Sequence, residues 1–327
     1  MTYRQPAEWA QHDWAWIGFP SNPAEWPNAF EGARMQAAAF ANAVHANGKG
    51  EEVRLVAADA ASADAARVLV HAGVTVQTLP FGDIWLRDTG PIAVSNGQMR
   101  ALVDFEFNGW GGSYDMPGDK DIGALLAAQV EMPCAKGHWI FEGGAVDTDG
   151  TGLAVTTEQC LLNPNRNPDL DRRKIETLLA GSLGYNSILW LGDGLLNDHT
   201  DGHVDNLARF VGESLLAIPV PSGEDDPNAA IYADAKSRAR SFGLDVVPMP
   251  SPGLVRRDGQ IVPASYMNFY IGNAAVVVPV YGQPNDQAAL EALKPFFPGR
   301  DIVGLMSDAI LTGGGSFHCI SQQMPSA

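Results

Sequence analysis

The chain has 327 residues, 46% hydrophobic and 18% charged, enough apolar material for a large core. No apolar run approaches the roughly 20 residues that cross a bilayer, and the opening M-T-Y-R-Q-P-A-E-W lacks the apolar core of a signal peptide. A net charge of −17, from 21 basic and 38 acidic residues, speaks against a nucleic-acid partner and for a small cationic ligand, although part of such acidity serves solubility alone.

Residues 53–57 (V-R-L-V-A) read as a buried strand. An alanine-rich helix from about Ser62, stopped by Gly73, leads to a strand at 74–79 (V-T-V-Q-T-L). A helix is expected near Lys120, and another near Asp171 ahead of a strand at 187–191 (S-I-L-W-L). One near Ala229 closes at Gly243 before L-D-V-V, and one near Asp286 closes at Pro298-Gly299 before D-I-V-G-L. The helices start at intervals of roughly 50–60 residues, which predicts five copies of one supersecondary unit. Closed into a ring, five units would feed one central site from equivalent positions. Nothing reads as a linker, G-E-D-D-P-N at 223–228 being a polar loop, so one domain over residues 1–327 is expected.

A dense polar motif follows each helix and strand: W-L-R-D-T-G-P (85–91), F-E-G-G-A (141–145), H-T-D-G-H-V-D-N (199–206), Y-M-N-F-Y (266–270) and G-G-G-S-F-H-C (313–319). The three cysteines, Cys134, Cys160 and Cys319, are odd in number and lack C-x-x-C spacing. That excludes the pattern of a disulfide framework or structural zinc site and suits a reducing cytoplasm. Cys319 is either a small buried hydrophobe or a nucleophile, and the glycines before it, which let backbone approach a ligand, together with adjacent His318, favour the second. Read as a strand from residue 203, His203 and Asp205 share a face. His199 and His203 would bind a metal from one helical face, which Gly202 disfavours. Asp88 is either an ion-pair partner of Arg87 or a carboxylate for a planar cation, with Trp85 as an apolar wall. Glu142 is either a turn residue or a partner that orients the His203 imidazole. Asn268 is a core amide or a ligand contact. A thiol, a histidine and carboxylates together suit nucleophilic attack on a guanidinium, whose carbon is electrophilic and whose edges match carboxylates.

In these motifs the chain resembles the agmatine deiminases, within the guanidino-group-modifying, peptidylarginine-deiminase-like superfamily. The resemblance runs from P-A-E-W (6–9) through W-L-R-D-T-G-P, E-G-G, L-L-N-P-N-R-N-P (161–168), T-D-G-H-V-D-N and S-Y-M-N-F-Y-I (265–271) to G-G-G-S-F-H-C-I-S-Q-Q (313–323). It implies an α/β fold, a five-bladed α/β propeller (pentein) of ββαβ-type units around a central site. It also implies Cys319 as nucleophile, His203 as general acid and base, Glu142 as partner of that histidine, and Asp88 and Asp205 as the guanidinium-binding carboxylates. Trp85 falls at a substrate-lining position, and Asn268 joins it as a substrate contact. The implied reaction is agmatine plus water giving N-carbamoylputrescine and ammonia, in polyamine metabolism, with no metal or cofactor and no membrane partner; a homo-oligomer stays open. Ser316-Phe317 and Asp201 depart from the commoner family residues and leave the substrate tail open. The rival readings are a deiminase for another guanidine such as peptidyl arginine, a metal-dependent hydrolase built on His199 and His203, and a non-catalytic polyamine binder. For a free amino acid, Arg87, Arg166 or Arg209 would have to be available to a carboxylate.

Overall fold

The computed structural model describes residues 2–326. Its mixed α/β fold repeats one connection: a short strand pairs antiparallel with a central strand, which pairs parallel with a third reached through a helix. β1 (His12–Phe19), β2 (Glu52–Ala57) and β3 (Thr75–Thr78) run parallel, with the helices Phe30–His45 and Ala60–Leu69 as crossovers. Next come β4 (Ile92–Ser95), β5 (Arg100–Glu106) and β6 (Cys134–Ile140), then β7 (Val146–Thr148), β8 (Leu153–Thr157) and β9 (Ser187–Leu191). β10 (Arg209–Gly212), β11 (Leu215–Val220) and β12 (Asp245–Pro250) form the fourth sheet. After a hairpin of β13 (Arg256–Arg257) and β14 (Gln260–Ile261), the fifth holds β15 (Tyr270–Ile271), β16 (Ala275–Val280) and β17 (Asp301–Met306). β18 (Ser321–Pro325) then pairs antiparallel with β1, placing Ser321 opposite Ile17, so the first sheet joins distant ends of the sequence.

The parallel pairs explain the recurring helices, because parallel neighbours need a long crossover whereas antiparallel ones need only a turn. Helix boundaries follow their caps. Asp59 and Asp171 accept hydrogen bonds from the Ser62 and Lys174 amides, and Gly184 and Gly243 close their helices in the left-handed conformation. The first of these helices accordingly begins at Ala60, before Ser62, and ends at Leu69, short of Gly73. The helices expected near Lys120, Asp171, Ala229 and Asp286 occur as Ile122–Ala128, Arg172–Leu183, Ala229–Phe242 and Asp286–Leu293. The 16-residue helix Phe30–His45 and the strands β1 and β18 were not anticipated. That helix buries mainly alanines (Ala33, Ala37, Ala38 and Ala41), whose small apolar contrast hides its periodicity.

Each of the five motifs occupies the same place: the connection from the third strand of one sheet to the first strand of the next. Equivalent connections therefore bring their side chains together. Beneath them the largest side chains of the apolar core, including Trp16, Trp26, Phe40 and Phe317, are fully buried. Among the described residues no helix is long and apolar enough to cross a membrane.

Candidate active site

Two other connections put polar side-chain atoms within 3.5 Å of the Cys319 thiol, and its own connection delivers it to them. The bare backbone before it is required by two indoles. A Cβ at Gly313 would lie 2.7 Å from Trp26 Cη2 and 2.9 Å from Trp85 Cζ2, and one at Gly315 would lie 2.6 Å from Trp85 Cζ3 and 3.1 Å from Cys319 Sγ. The glycines thus pack against the Trp85 indole on the approach to the thiol. Asn268 holds it there: its Nδ2 donates to Sγ at 3.0 Å, and its Oδ1 accepts from the amides of His318 and Cys319 at 3.1 and 3.3 Å. Asn268 is fully buried and meets the thiol itself. The S–H faces Asp205 Oδ2 at 3.5 Å. Burial, then the nearby Asp205 and Asp88, hold the thiol well above its ordinary pKa, so it is protonated while the site is empty.

The helical turn Leu86–Thr89 presents Asp88 to the same place. Its carboxylate accepts from Trp110 Nε1 and the Gly144 amide, each at 3.0 Å, and lies 3.6 Å from His203 Nδ1. Arg87 does not pair with Asp88; it donates to Gln322 and lies 3.7 Å from Glu8. Burial raises the Asp88 pKa to about 6, opposed by His203. In E-G-G the glycines are dictated by contact. A Cβ at Gly143 would collide with the Arg87 carbonyl, and one at Gly144 would lie 2.6 Å from His203 Nδ1 and 2.8 Å from Asp88 Oδ1. Glu142, fully buried, is gripped by Arg166 Nε at 3.2 Å from both oxygens and sits 3.3 Å from His203 Nε2. Burial would raise its pKa, but His203 and Arg166 bring it below the ordinary value.

The strand expected from residue 203 is not formed. Asp201 and Gly202 adopt left-handed φ of 60° and 84°, and Val204–Asn206 make a single helical turn after an extended His203. The turn still sends His203 and Asp205 toward Gly144, whose missing Cβ would lie 3.2 Å from Asp205 Oδ2. Burial opposes a charged His203, yet Asp88, Cys160 and Glu142 outweigh it and raise the imidazole well above its usual pKa. His203 Nδ1 and Asp205 Oδ1 are buried with no hydrogen-bond partner among the described residues. A donor-rich, planar cation between Asp88 and Asp205 would satisfy the free carboxylate oxygen, a fit that few other ligands match. The His318 ring turns away from the thiol: Nδ1 meets Asp205 Oδ2 and Nε2 meets Glu8 Oε2, each at 2.8 Å.

Asp88, Trp85 and Cys319 line one cavity with Glu25, Asp83, Trp110, Tyr114, His199, Thr200 and residues 312–315. Glu142, His203 and Asp205 stand behind that wall. His199 is exposed and its Nδ1 contacts the Tyr114 hydroxyl at 3.1 Å, so His199 and His203 share no helical face and the expected metal pair is not made. Glu142, Cys160 and His203 do bring ligand atoms within 4.8 Å, but Arg166 occupies both glutamate oxygens and opposes a metal cation there. All three arginines considered for a substrate carboxylate are engaged: Arg87 with Gln322, Arg166 with Glu142 and Asp201, Arg209 with Glu8 and Asp147. Sequence reasoning overlooked Trp110, Tyr114 and Asp83, and the supporting roles of Glu8, Arg166 and Cys160. Only P-A-E-W and N-P-N-R-N-P carried a signal for any of them, because their partners lie far away in sequence.

The Porphyromonas-type peptidyl-arginine deiminase family matches residues 4–325. An agmatine deiminase of Stutzerimonas stutzeri is 36% identical over 99% of this chain and 95% of its own length. Among solved structures, the agmatine deiminase of Enterococcus faecalis superposes with a TM-score of 0.93 at 30% identity, covering 99% of this chain and 96% of that one. A cysteine-to-serine agmatine deiminase of C. jejuni with substrate bound gives a TM-score of 0.93 at 26% identity, covering 100% of this chain and 97% of the other.

Proposed function

The chain belongs to the Porphyromonas-type peptidyl-arginine deiminase family, and from that membership we propose that it hydrolyses agmatine to N-carbamoylputrescine and ammonia through a covalent intermediate on Cys319. The guanidinium lies between Asp88 and Asp205, which accept its N–H groups in charge-assisted pairs. Its arriving charge offsets the two carboxylate fields that, after burial, keep the thiol protonated, and the thiol proton passes to solvent, to be taken up by the ammonia that leaves. The thiolate attacks the guanidinium carbon. His203, held charged against burial by Asp88, Cys160 and Glu142, donates a proton to the departing nitrogen as the C–N bond breaks and ammonia leaves. The neutral imidazole then takes a proton from water, whose oxygen attacks the same carbon, and the C–S bond breaks to return the thiol and the urea product. Glu142 and Arg166 keep the imidazole in place, and Asn268 keeps the thiol in place.

The observation that carries agmatine over arginine is the state of the cations. The cavity wall has no arginine or lysine among the described residues, and Arg87, Arg166 and Arg209 are all committed to the protein's own acids. Arginine's carboxylate would meet Asp83 and Glu25 with no partner, a mismatch of several kcal/mol in a desolvated site. Tyr114 and His199 meet at the exposed side of the cavity, which also disfavours a polypeptide. Five sheets with equivalent connections, closed by β1 and β18, support the five-bladed α/β propeller as one catalytic unit. The free state of Cys134, Cys160 and Cys319 supports a cytoplasmic setting. Ammonia release from agmatine, arginine, a peptidyl arginine and methylated arginines, with EDTA as control, tests the reading. Agmatine is expected to exceed arginine in kcat/KM by on the order of 100-fold, about 2.7 kcal/mol, without loss in EDTA. Comparable efficiencies, or a preference for peptidyl arginine, would remove agmatine as the substrate.

A further inference from the structure

Asp201 departs from the commoner family residue, and the chemistry at Cys319 makes no use of it. Its connection lines the cavity with His199 and Thr200. The Asp201 carboxylate is turned instead to Arg166 and to Asn165, whose Nδ2 donates to its Oδ2 at 2.8 Å. Arg166 is buried between two acids. Its Nη1 donates to Asp201 and to Asn165 Oδ1, and its Nη2 to the Thr200 carbonyl at 2.7 Å. Nε is left for Glu142 and meets both of its oxygens at 3.2 Å. That is longer than the roughly 2.7–2.9 Å of a charge-assisted bond, and the parallel two-nitrogen pair that suits arginine and a carboxylate is not made. Glu142 Oε2 stays 3.3 Å from His203 Nε2.

The N–H groups of a guanidinium lie in one fixed plane, so those spent on Asp201 and Thr200 cannot also close on Glu142. The two acids compete for one cation, and the competition decides how much of Glu142 is left for the imidazole. We infer that Asp201 is a positioning residue of the deimination site: by holding Nη1 of Arg166 it keeps that guanidinium from closing on Glu142, and so leaves Glu142 to orient His203. This rests on the deiminase reading above. The other titratable groups facing His203 are Asp88 from the turn Leu86–Thr89, Cys160 from the turn Glu158–Leu161 and Asp205 from its own turn. Burial opposes the imidazolium, and Asp88, Cys160 and Glu142 outweigh it. Of these three, Glu142 is the one that Arg166 also grips.

The test is Asp201→Asn, read by kcat, KM and the pH profile of ammonia release from agmatine. Asparagine adopts the left-handed φ of 60° found here as readily as aspartate, so the turn is kept and the charge alone is removed. Nη1 is then free to close on Glu142, Glu142 is drawn from His203, and the imidazole gives up its proton at lower pH. Because His203 acts in its charged form, the alkaline limb of kcat should move down by about half a pH unit, a threefold loss of kcat on that limb, with KM within about twofold of wild type. The His203 imidazole, titrated by NMR without turnover, should show the same shift. In a Glu142→Gln background Asp201→Asn should move the limb less than half as far, since the acid on which Arg166 would close is gone. Asp193→Asn, which removes an exposed charge from the same connection, should leave the limb in place. An unmoved limb, an equal shift with and without Glu142, or an effect confined to KM would overturn the inference while deimination stood. No ammonia from any guanidine with the wild type would overturn deimination, and the NMR titration would then decide the coupling of Asp201 to His203 by itself.

Discussion

The two ends of the cavity treat negative charge in opposite ways. At the thiol end the acids are already answered: His203 faces Asp88 and Glu142, His318 and Arg209 flank Glu8, and Arg166 forks onto Glu142. At the outer end Asp83 and Asp119 are buried with only backbone and indole N–H donors, and their pKa values rise to about 7 and about 6, mainly through burial. The lesson is that paired acids are fixed apparatus, oriented before any ligand arrives, whereas unpaired acids form a vacancy of charge that a ligand completes.

The sharpest way to separate the ends is to remove the nucleophile. Cys319→Ser should lower turnover by more than about a thousandfold, as loss of an enzyme nucleophile does, while calorimetry finds agmatine affinity within about threefold of wild type. Wild-type-like ammonia release would end the covalent scheme. Asp88→Asn should act on both binding and rate, lowering kcat/KM about 100-fold, or about 2.7 kcal/mol. An unchanged KM would make Asp88 a structural acceptor for Trp110 and Gly144 only. Glu142→Gln strikes the apparatus behind the site and should reduce kcat about tenfold. Because Glu142 helps to raise the His203 pKa, its alkaline limb in the kcat–pH profile should move to lower pH; a limb that stays in place would place the control elsewhere. The smallest effect belongs to the vacant end and concerns stability. Asp83 is raised from 3.8 to about 7 on folding, so the folded state binds the extra proton and loses stability as pH rises from 3.8 through 7. Asp83→Asn should therefore stabilise the protein more at pH 8 than at pH 5 in chemical denaturation. An equal effect at both values would mean that the carboxyl is not strained by burial.

The sequence revealed the side chains that meet at Cys319 far better than it revealed what holds them. Cys319, His203, Glu142, Asp88 and Asp205 sit in motifs dense with glycine and polar residues, and that density reflects contact: Gly144 and Gly315 have no room for a Cβ. Helix caps such as Asp171 and Gly243 likewise act locally and were legible. The supporting bonds act over long separations. Glu8 meets His318, and Asn268 meets Cys319, across stretches that no period or turn signal bridges. The misread strand at residue 203 has a local cause, since alternation of His203 and Asp205 also fits a tight turn entered through two left-handed residues. What Asn268 does for the thiol was not legible, because an amide that orients a thiol and one that binds a ligand look alike until its four hydrogen bonds are traced.

The pairing of β1 with β18 has a consequence for synthesis. β1 is made before both strands it pairs with, β2 and β18, and the second of these is made only after β2 to β17. Cys319 is made immediately before β18, and Glu8, which braces His318 beside it, immediately before β1. A nascent chain can therefore bury much of its core while still lacking both the nucleophile and the strand that fixes it. Activity should appear only once β18 has been made, and the unpaired edge of β1 is the surface a chaperone would have to guard until then.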